Sequence, residues 1–158
     1  LLEMMVKAVS LNGNFVLNFG PDGKGNIRSE ETKLAKEIGD WMKINKEAIY
    51  GTSHSTVQKQ DWGYFTQKGN KLYMCVFNRP INNLLKIEIP KGGIIPMKAY
   101  FLENNQETEI QNAGKNKRNS SLYHVAVPAS YKTDRPFVIV LEMQENTKEE
   151  GEYQQAKI

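Results

Sequence analysis

Trp62-Gly63-Tyr64-Phe65-Thr66 and Leu72-Tyr73-Met74-Cys75-Val76-Phe77 are short runs rich in aromatic and aliphatic residues, and Lys68-Gly69-Asn70 lies between them. Runs of this length on either side of a glycine turn read as a β-hairpin. The same grammar repeats downstream. Leu85-Lys86-Ile87-Glu88-Ile89 alternates strictly and stops at Pro90. Residues 97–102 and 107–111 flank the turn Glu103-Asn104-Asn105-Gln106, and residues 122–127 and 137–141 complete the set. About seven strands at regular spacing, separated by polar turns, predict an antiparallel β-sandwich. Its expected limits are residues 52–143, and the polar stretch 144–158 reads as a tail.

Upstream of residue 52 the period changes. Leu1, Leu2, Met4, Met5, Ala8 and Val9 recur at helical spacing with no capping residue before them, which reads as an opening inside a longer helix. Asn12-Gly13-Asn14 is a turn that needs positive φ. Phe15-Val16-Leu17-Asn18-Phe19 is nearly continuous in apolar residues, the pattern of a parallel strand covered on both faces. The turn segment Gly20-Pro21-Asp22-Gly23-Lys24-Gly25-Asn26 follows. A second helix is expected from Ser29, with Glu30 and Glu31 in its first turn. Leu34, Ile38, Trp41, Met42, Asn45 and Ile49 would form its inner face. The architecture is therefore helix, strand, helix over residues 1–51, then the sandwich. A strand buried on both faces needs neighbours, and parallel neighbours need crossovers that residues 1–51 do not contain. The partners are missing from this chain, come from a second copy, or are strands of the sandwich that Phe15–Phe19 joins.

The composition narrows the function classes. The 158 residues are 39% hydrophobic and 25% charged with a net charge of +3, ordinary for a water-exposed folded domain. Lys115, Lys117 and Arg118 are the densest basic cluster and lie in a polar loop, not on the basic face that nucleic acid requires. No apolar run reaches membrane-spanning length, and no signal-peptide pattern is expected among these residues. Cys75 is the single cysteine and reads as a buried small residue rather than a reactive thiol.

Tempting motifs weigh little. Gly20, Gly23 and Gly25 fit neither phosphate-loop spacing. A calcium loop in the best register would place Gly20 and Lys24 where oxygen ligands belong. His54 and His124 form no metal cluster, and no cofactor is implied. His54 lies in a Ser/Thr-rich linker, with a sugar contact as the alternative to a linker role. Trp62 and Tyr64 alternate on one strand, so they are expected to share a face. That face either packs or stacks on sugar rings.

Residues 12–52 carry a specific resemblance. Asn12-Gly13-Asn14-Phe15-Val16-Leu17-Asn18-Phe19-Gly20-Pro21-Asp22-Gly23, then Glu37-Ile38-Gly39-Asp40-Trp41, then Glu47-Ala48-Ile49-Tyr50-Gly51-Thr52 resemble linked motifs of the α-L-fucosidases of glycoside hydrolase family 29. Lys46 stands where the family's second motif usually has glycine. The resemblance implies a catalytic (β/α) barrel followed by a C-terminal sandwich. Residues 1–51 would be the end of the barrel, Phe15–Phe19 a late barrel strand.

It also implies a retaining mechanism in the parent enzyme, with an aspartate nucleophile and a carboxyl acid/base acting on terminal α-L-fucose. The nucleophile and the fucose-binding histidines would precede this chain, and no catalytic residue is assigned. Asn18 and Phe19, at the C-terminal end of the implied barrel strand, are candidate substrate contacts, as are Trp62 and Tyr64. The expected partners are fucosylated glycans through the parent enzyme, and a barrel or a second copy over residues 1–51. The competing reading is a free-standing sandwich that binds carbohydrate or a protein. Family resemblance points to a periplasmic, secreted or lysosomal setting.

Overall fold

A computed structural model describes residues 1–92 and 94–145 of the chain. Its strands pair antiparallel in two sheets. The larger sheet runs β1 (Gly63–Lys68), β2 (Lys71–Val76), β8 (Phe137–Glu145), β4 (Ile94–Phe101) and β5 (Glu107–Thr108). The smaller runs β3 (Leu84–Ile89), β7 (Ser121–Ala126) and β6 (Ile110–Lys115). Helices α1 (Leu2–Ser10) and α2 (Ser29–Asn45), with a 3-10 turn at Lys46–Ala48, precede them. The expected sandwich with a helical prelude is therefore present. The part of the polar tail beyond residue 145 lies outside the described residues.

The hairpin forms as its sequence predicts. Gly69 takes φ +57°, a conformation that glycine adopts without a Cβ penalty, and β1 and β2 register from Lys68 opposite Lys71 to Gly63 opposite Val76. Side chains then sort by parity. Leu72, Met74, Val76, Ile139 and Leu141 face the inter-sheet core, where they meet Leu85, Ile87, Phe101 and Val125. Tyr73, Cys75, Val138 and Val140 face the other way, onto Val6, Trp41, Ala48 and Ile49. The molecule thus has three layers: small sheet, large sheet, helices. β2 and β8 read as continuous apolar runs because both of their faces are covered. An antiparallel strand with one wet face would alternate.

Three expectations change. Phe15–Phe19 forms no ladder with any described strand; Phe15, Leu17 and Phe19 are half-buried, Asn18 is exposed, and Val16 is 79% exposed. A strand exists only through a neighbour's hydrogen bonds, and neither the sandwich nor the helices supplies one. The predicted strand 107–111 is two strands. Glu107 and Thr108 pair with β4, whereas Ile110 onward pairs with β7 in the other sheet. The chain crosses between sheets at Glu109, whose carbonyl accepts the Ala126 N–H at 3.0 Å. Finally, the residue at the N-cap of α2 is Arg28; Ser29 is already helical.

Candidate functional site

The segment that carries Asn18 and Phe19 is anchored at both ends by local chemistry. At the end of α1, Asn12 takes φ +63°. Its N–H bonds to the Val9 carbonyl at 2.9 Å, and the Gly13 N–H bonds to the Ala8 carbonyl at 2.8 Å. These two bonds are a Schellman cap, and they explain the Asn-Gly pair. Farther on, Asp22 closes the turn on itself. One carboxylate oxygen accepts the N–H groups of Lys24 at 2.8 Å and Asn26 at 2.9 Å. Those bonds, Asn26 first, hold its carboxyl below the usual range. The N–H groups that a phosphate would need are thus already taken by a fixed anion, so this glycine-rich loop is structural.

Between these anchors Asn18 is exposed and makes no hydrogen bond with a described residue, and Phe19 is half-buried. Trp62 and Tyr64 lie elsewhere, and not together. Trp62 is 4% exposed in the inter-sheet core, edge-on to Phe65 with centroids 5.1 Å apart, and its indole N–H donates to the Lys86 carbonyl at 2.9 Å. Tyr64 is 8% exposed on the helix side, and its hydroxyl donates to Glu3 at 3.2 Å. The expected shared face fails because Trp62 lies in the turn before β1, across which Gln60 and Gly63 exchange N–H···O bonds at 3.1 Å. Phe77 and Asn78 both donate to the Trp62 carbonyl, a bulge on the opposite strand. Gly63 makes this possible: a Cβ there would lie 2.0 Å from the Cys75 carbonyl oxygen.

The best-connected polar cluster is at the join, residues 47–52. One oxygen of Glu47 accepts the Tyr73 hydroxyl at 2.7 Å and the Lys71 ammonium at 2.9 Å. These two donors, Tyr73 foremost, hold the Glu47 carboxyl below the usual range, and burial and Glu47 in turn push the Tyr73 hydroxyl well up. The Ala48 carbonyl accepts the Thr66 hydroxyl at 2.6 Å, and Ile49 is buried against the large sheet. Gly51 turns the chain at φ +70°, and the Thr52 hydroxyl donates to the Ile49 carbonyl at 2.9 Å. Composition and motif reading did not foresee that Glu47 docks on β2. A further clamp, Arg79, donates to the carbonyls of Tyr131, Val127 and Pro128 and to the Asn83 amide oxygen. No pattern in sequence marks it.

Glycosidic acid catalysis needs a carboxyl whose acidity is weakened. Among the described residues every carboxyl that is displaced moves the other way: Asp22, Asp40 and Glu47 are all held down, Asp40 to about 2 by Lys36 and Lys43. No cluster of His, Cys, Asp or Glu among them could hold a metal ion, and none of their helices is long and apolar enough to cross a membrane. Cys75 is fully buried and its thiol is pushed up to about 12, the state of an inert core residue.

Comparison with known proteins gives one consistent result. The family model described as Alpha-L-fucosidase matches residues 1–47. The alpha-L-fucosidase of Dictyostelium discoideum is 37% identical over 93 residues, 56% of this chain and 20% of that protein. The plasma alpha-L-fucosidase of Rattus norvegicus is 28% identical over 149 residues, 90% of this chain and 28% of its own length. A crystal structure of an alpha-L-fucosidase GH29 from Bacteroides thetaiotaomicron, trapped as a covalent intermediate with 2-fluoro-fucosyl fluoride, superposes with a TM-score of 0.80. It is 38% identical and matches over 90% of this chain and 31% of that one. The chain therefore spans between about a fifth and a third of the proteins it matches.

Proposed function

We propose that the chain, similar over most of its length to family 29 α-L-fucosidases, is a structural, C-terminal portion of such a retaining enzyme, without turnover of its own. One observation carries the proposal. The chain matches the Bacteroides enzyme over nine-tenths of its own length, yet leaves more than two-thirds of that enzyme without a counterpart. The covalent intermediate trapped on that relative supports double displacement as the chemistry of the whole protein.

In this reading residues 1–51 are the end of a catalytic barrel and 52–143 an accessory sandwich. Phe15–Phe19 is a barrel strand whose neighbours belong to the rest of the enzyme. Asn18 and Phe19 sit at its C-terminal end, where barrel active sites lie, and support the fucose pocket. Trp62 is covered on both sides and acts as packing. Fucosylated glycans are the substrates of the complete protein, and the setting is periplasmic, secreted or lysosomal. The test is direct. The chain alone should release no aryl alcohol from an aryl α-L-fucoside, and the chain joined to the missing two-thirds should. Turnover by the chain alone overturns the reading.

A further inference from the structure

A groove of about 320 Å³ runs between the C-terminal end of α1 and the linker that leads into β1. Its size suits a small ligand rather than a water cluster. Lys7, His54 and Lys59 bring three nitrogen cations or potential cations to its wall, and no Asp or Glu lines it. Neither lysine joins any ion pair among the described residues. Lys59 is held over the Tyr64 ring at 5.7 Å. Glu3, beside Tyr64, accepts the Tyr64 hydroxyl. The His54 ring and the Gln58 amide make no hydrogen bond with a described residue, so their polar ends are open to a ligand. Leu11, 72% exposed, contributes apolar surface, while Tyr64 and Phe65 are themselves buried.

We propose that this groove binds a sugar unit bearing one anionic group, a sulfate ester or a carboxylate. The anion sits between Lys7 and Lys59, where charge-assisted bonds are available on two sides. His54 and Gln58 meet the hydroxyls, and the apolar face of the sugar covers Leu11, the usual division of labour in a small-molecule site. A free oxyanion would use the lysines but leave most of the groove unfilled. The site lies outside the segment with Asn18 and Phe19, and its occupancy needs no fucosidase activity.

Titration of the ¹⁵N-labelled chain by NMR separates the outcomes, with galactose 6-sulfate, galactose and sodium sulfate compared at matched ionic strength. The sulfated sugar should saturate shifts at the amides of Lys7, His54, Ser55 and Lys59 with Kd on the order of 1 mM. Galactose and free sulfate should each bind about tenfold more weakly or worse, because each lacks one half of the interaction. Lys7→Met and Lys59→Met, at solvent-facing positions, should each weaken binding about tenfold while keeping the wild-type melting temperature. Absence of saturation by the sulfated sugar overturns the proposal. So does equal affinity for free sulfate, and so does binding that survives the Lys7→Met/Lys59→Met double variant.

Discussion

Replacing Trp41 tests whether the helical layer and the sandwich are one folding unit. Trp41 is 5% exposed, lies against the outer face of the large sheet and donates its indole N–H to the Pro136 carbonyl at 2.8 Å, just before β8. Truncation to alanine removes a buried aromatic side chain and leaves a cavity, which costs about 3–5 kcal/mol. About 1 kcal/mol of that is the hydrogen bond. Trp41→Phe keeps most of the ring and loses the bond, for about 1–2 kcal/mol. The chain has two tryptophans, one in each core, so each variant leaves Trp62 as the sole indole and a clean reporter of the inter-sheet core. Tyr73, Cys75, Val138 and Val140 are at most 2% exposed because the helices cover them, so losing the helical layer should weaken the sheet beneath it. In urea the Trp62 transition of Trp41→Ala should therefore fall to a lower midpoint, together with the helical signal by circular dichroism. A Trp62 transition at the wild-type midpoint, with the helical signal lost earlier, refutes the coupling.

Four further outcomes follow from the same geometry. Gly63→Ala puts a methyl group 2.0 Å from the Cys75 carbonyl oxygen, between two paired strands, and should cost about 3 kcal/mol or prevent folding, read by urea denaturation. Cys75 should resist alkylation at pH 8 in the native state and react at once in denaturant, because its thiol is buried and pushed up to about 12. Glu47 is held below its unfolded pKa of about 4.3, so its contribution is full above that pH and fades as pH falls through the lower, folded value. Glu47→Gln should flatten the acid limb of a melting-temperature profile below about pH 4.5; an unchanged limb overturns the assignment. Met4, Leu11 and Val16 are exposed, so threonine at all three should reduce binding of a hydrophobic dye while each change alters stability by less than about 0.5 kcal/mol.

What was legible in the sequence, and what was not, follows one physical line. Apolar periodicity reports that a face is covered, not what covers it. Leu72–Phe77 reads as continuous because a second sheet and two helices lie on its two sides, and the hairpin turn at Gly69 is local chemistry; both are recoverable from residues alone. Phe15–Phe19 carries the same signal, yet it pairs with nothing described here. Its cover belongs, in the reading proposed, to strands of a longer protein. The Asn12-Gly13 cap was legible for the same local reason as the hairpin. The turn that holds Trp62 outside β1 was not, since it depends on Gln60 and Gly63 pairing around it and on Phe77 and Asn78 both returning to the Trp62 carbonyl. The docking of Glu47 on Tyr73 and Lys71 spans more than twenty residues and leaves no periodic trace.

In the reading proposed, these contacts bear on how the sandwich can matter to the barrel's chemistry. The segment with Asn18 and Phe19 has no ladder of its own in this chain. Its upstream end is fixed by the α1 cap, and α1 is seated on the large sheet through Val6, which is fully buried. Its downstream end leads into α2, and α2 is seated through Trp41 and, one turn later, through Glu47 and Ala48 on β1 and β2. Both flanks of the candidate pocket segment thus rest on the same sheet. Leu1, Met4, Leu11, Leu34, Ile44 and Tyr50 stay exposed on those flanks, and in the reading proposed they offer an apolar surface to the rest of the enzyme. On this view the sandwich acts by position, and the sign of that role is kinetic. Trp41→Phe in the complete protein, with Asn18 and Phe19 untouched, should lower kcat/KM toward an aryl fucoside at temperatures well below its melting point, because small displacements of a pocket wall are costly. Full activity with the stability loss alone would mean that the sandwich holds the protein together and leaves the pocket to the barrel.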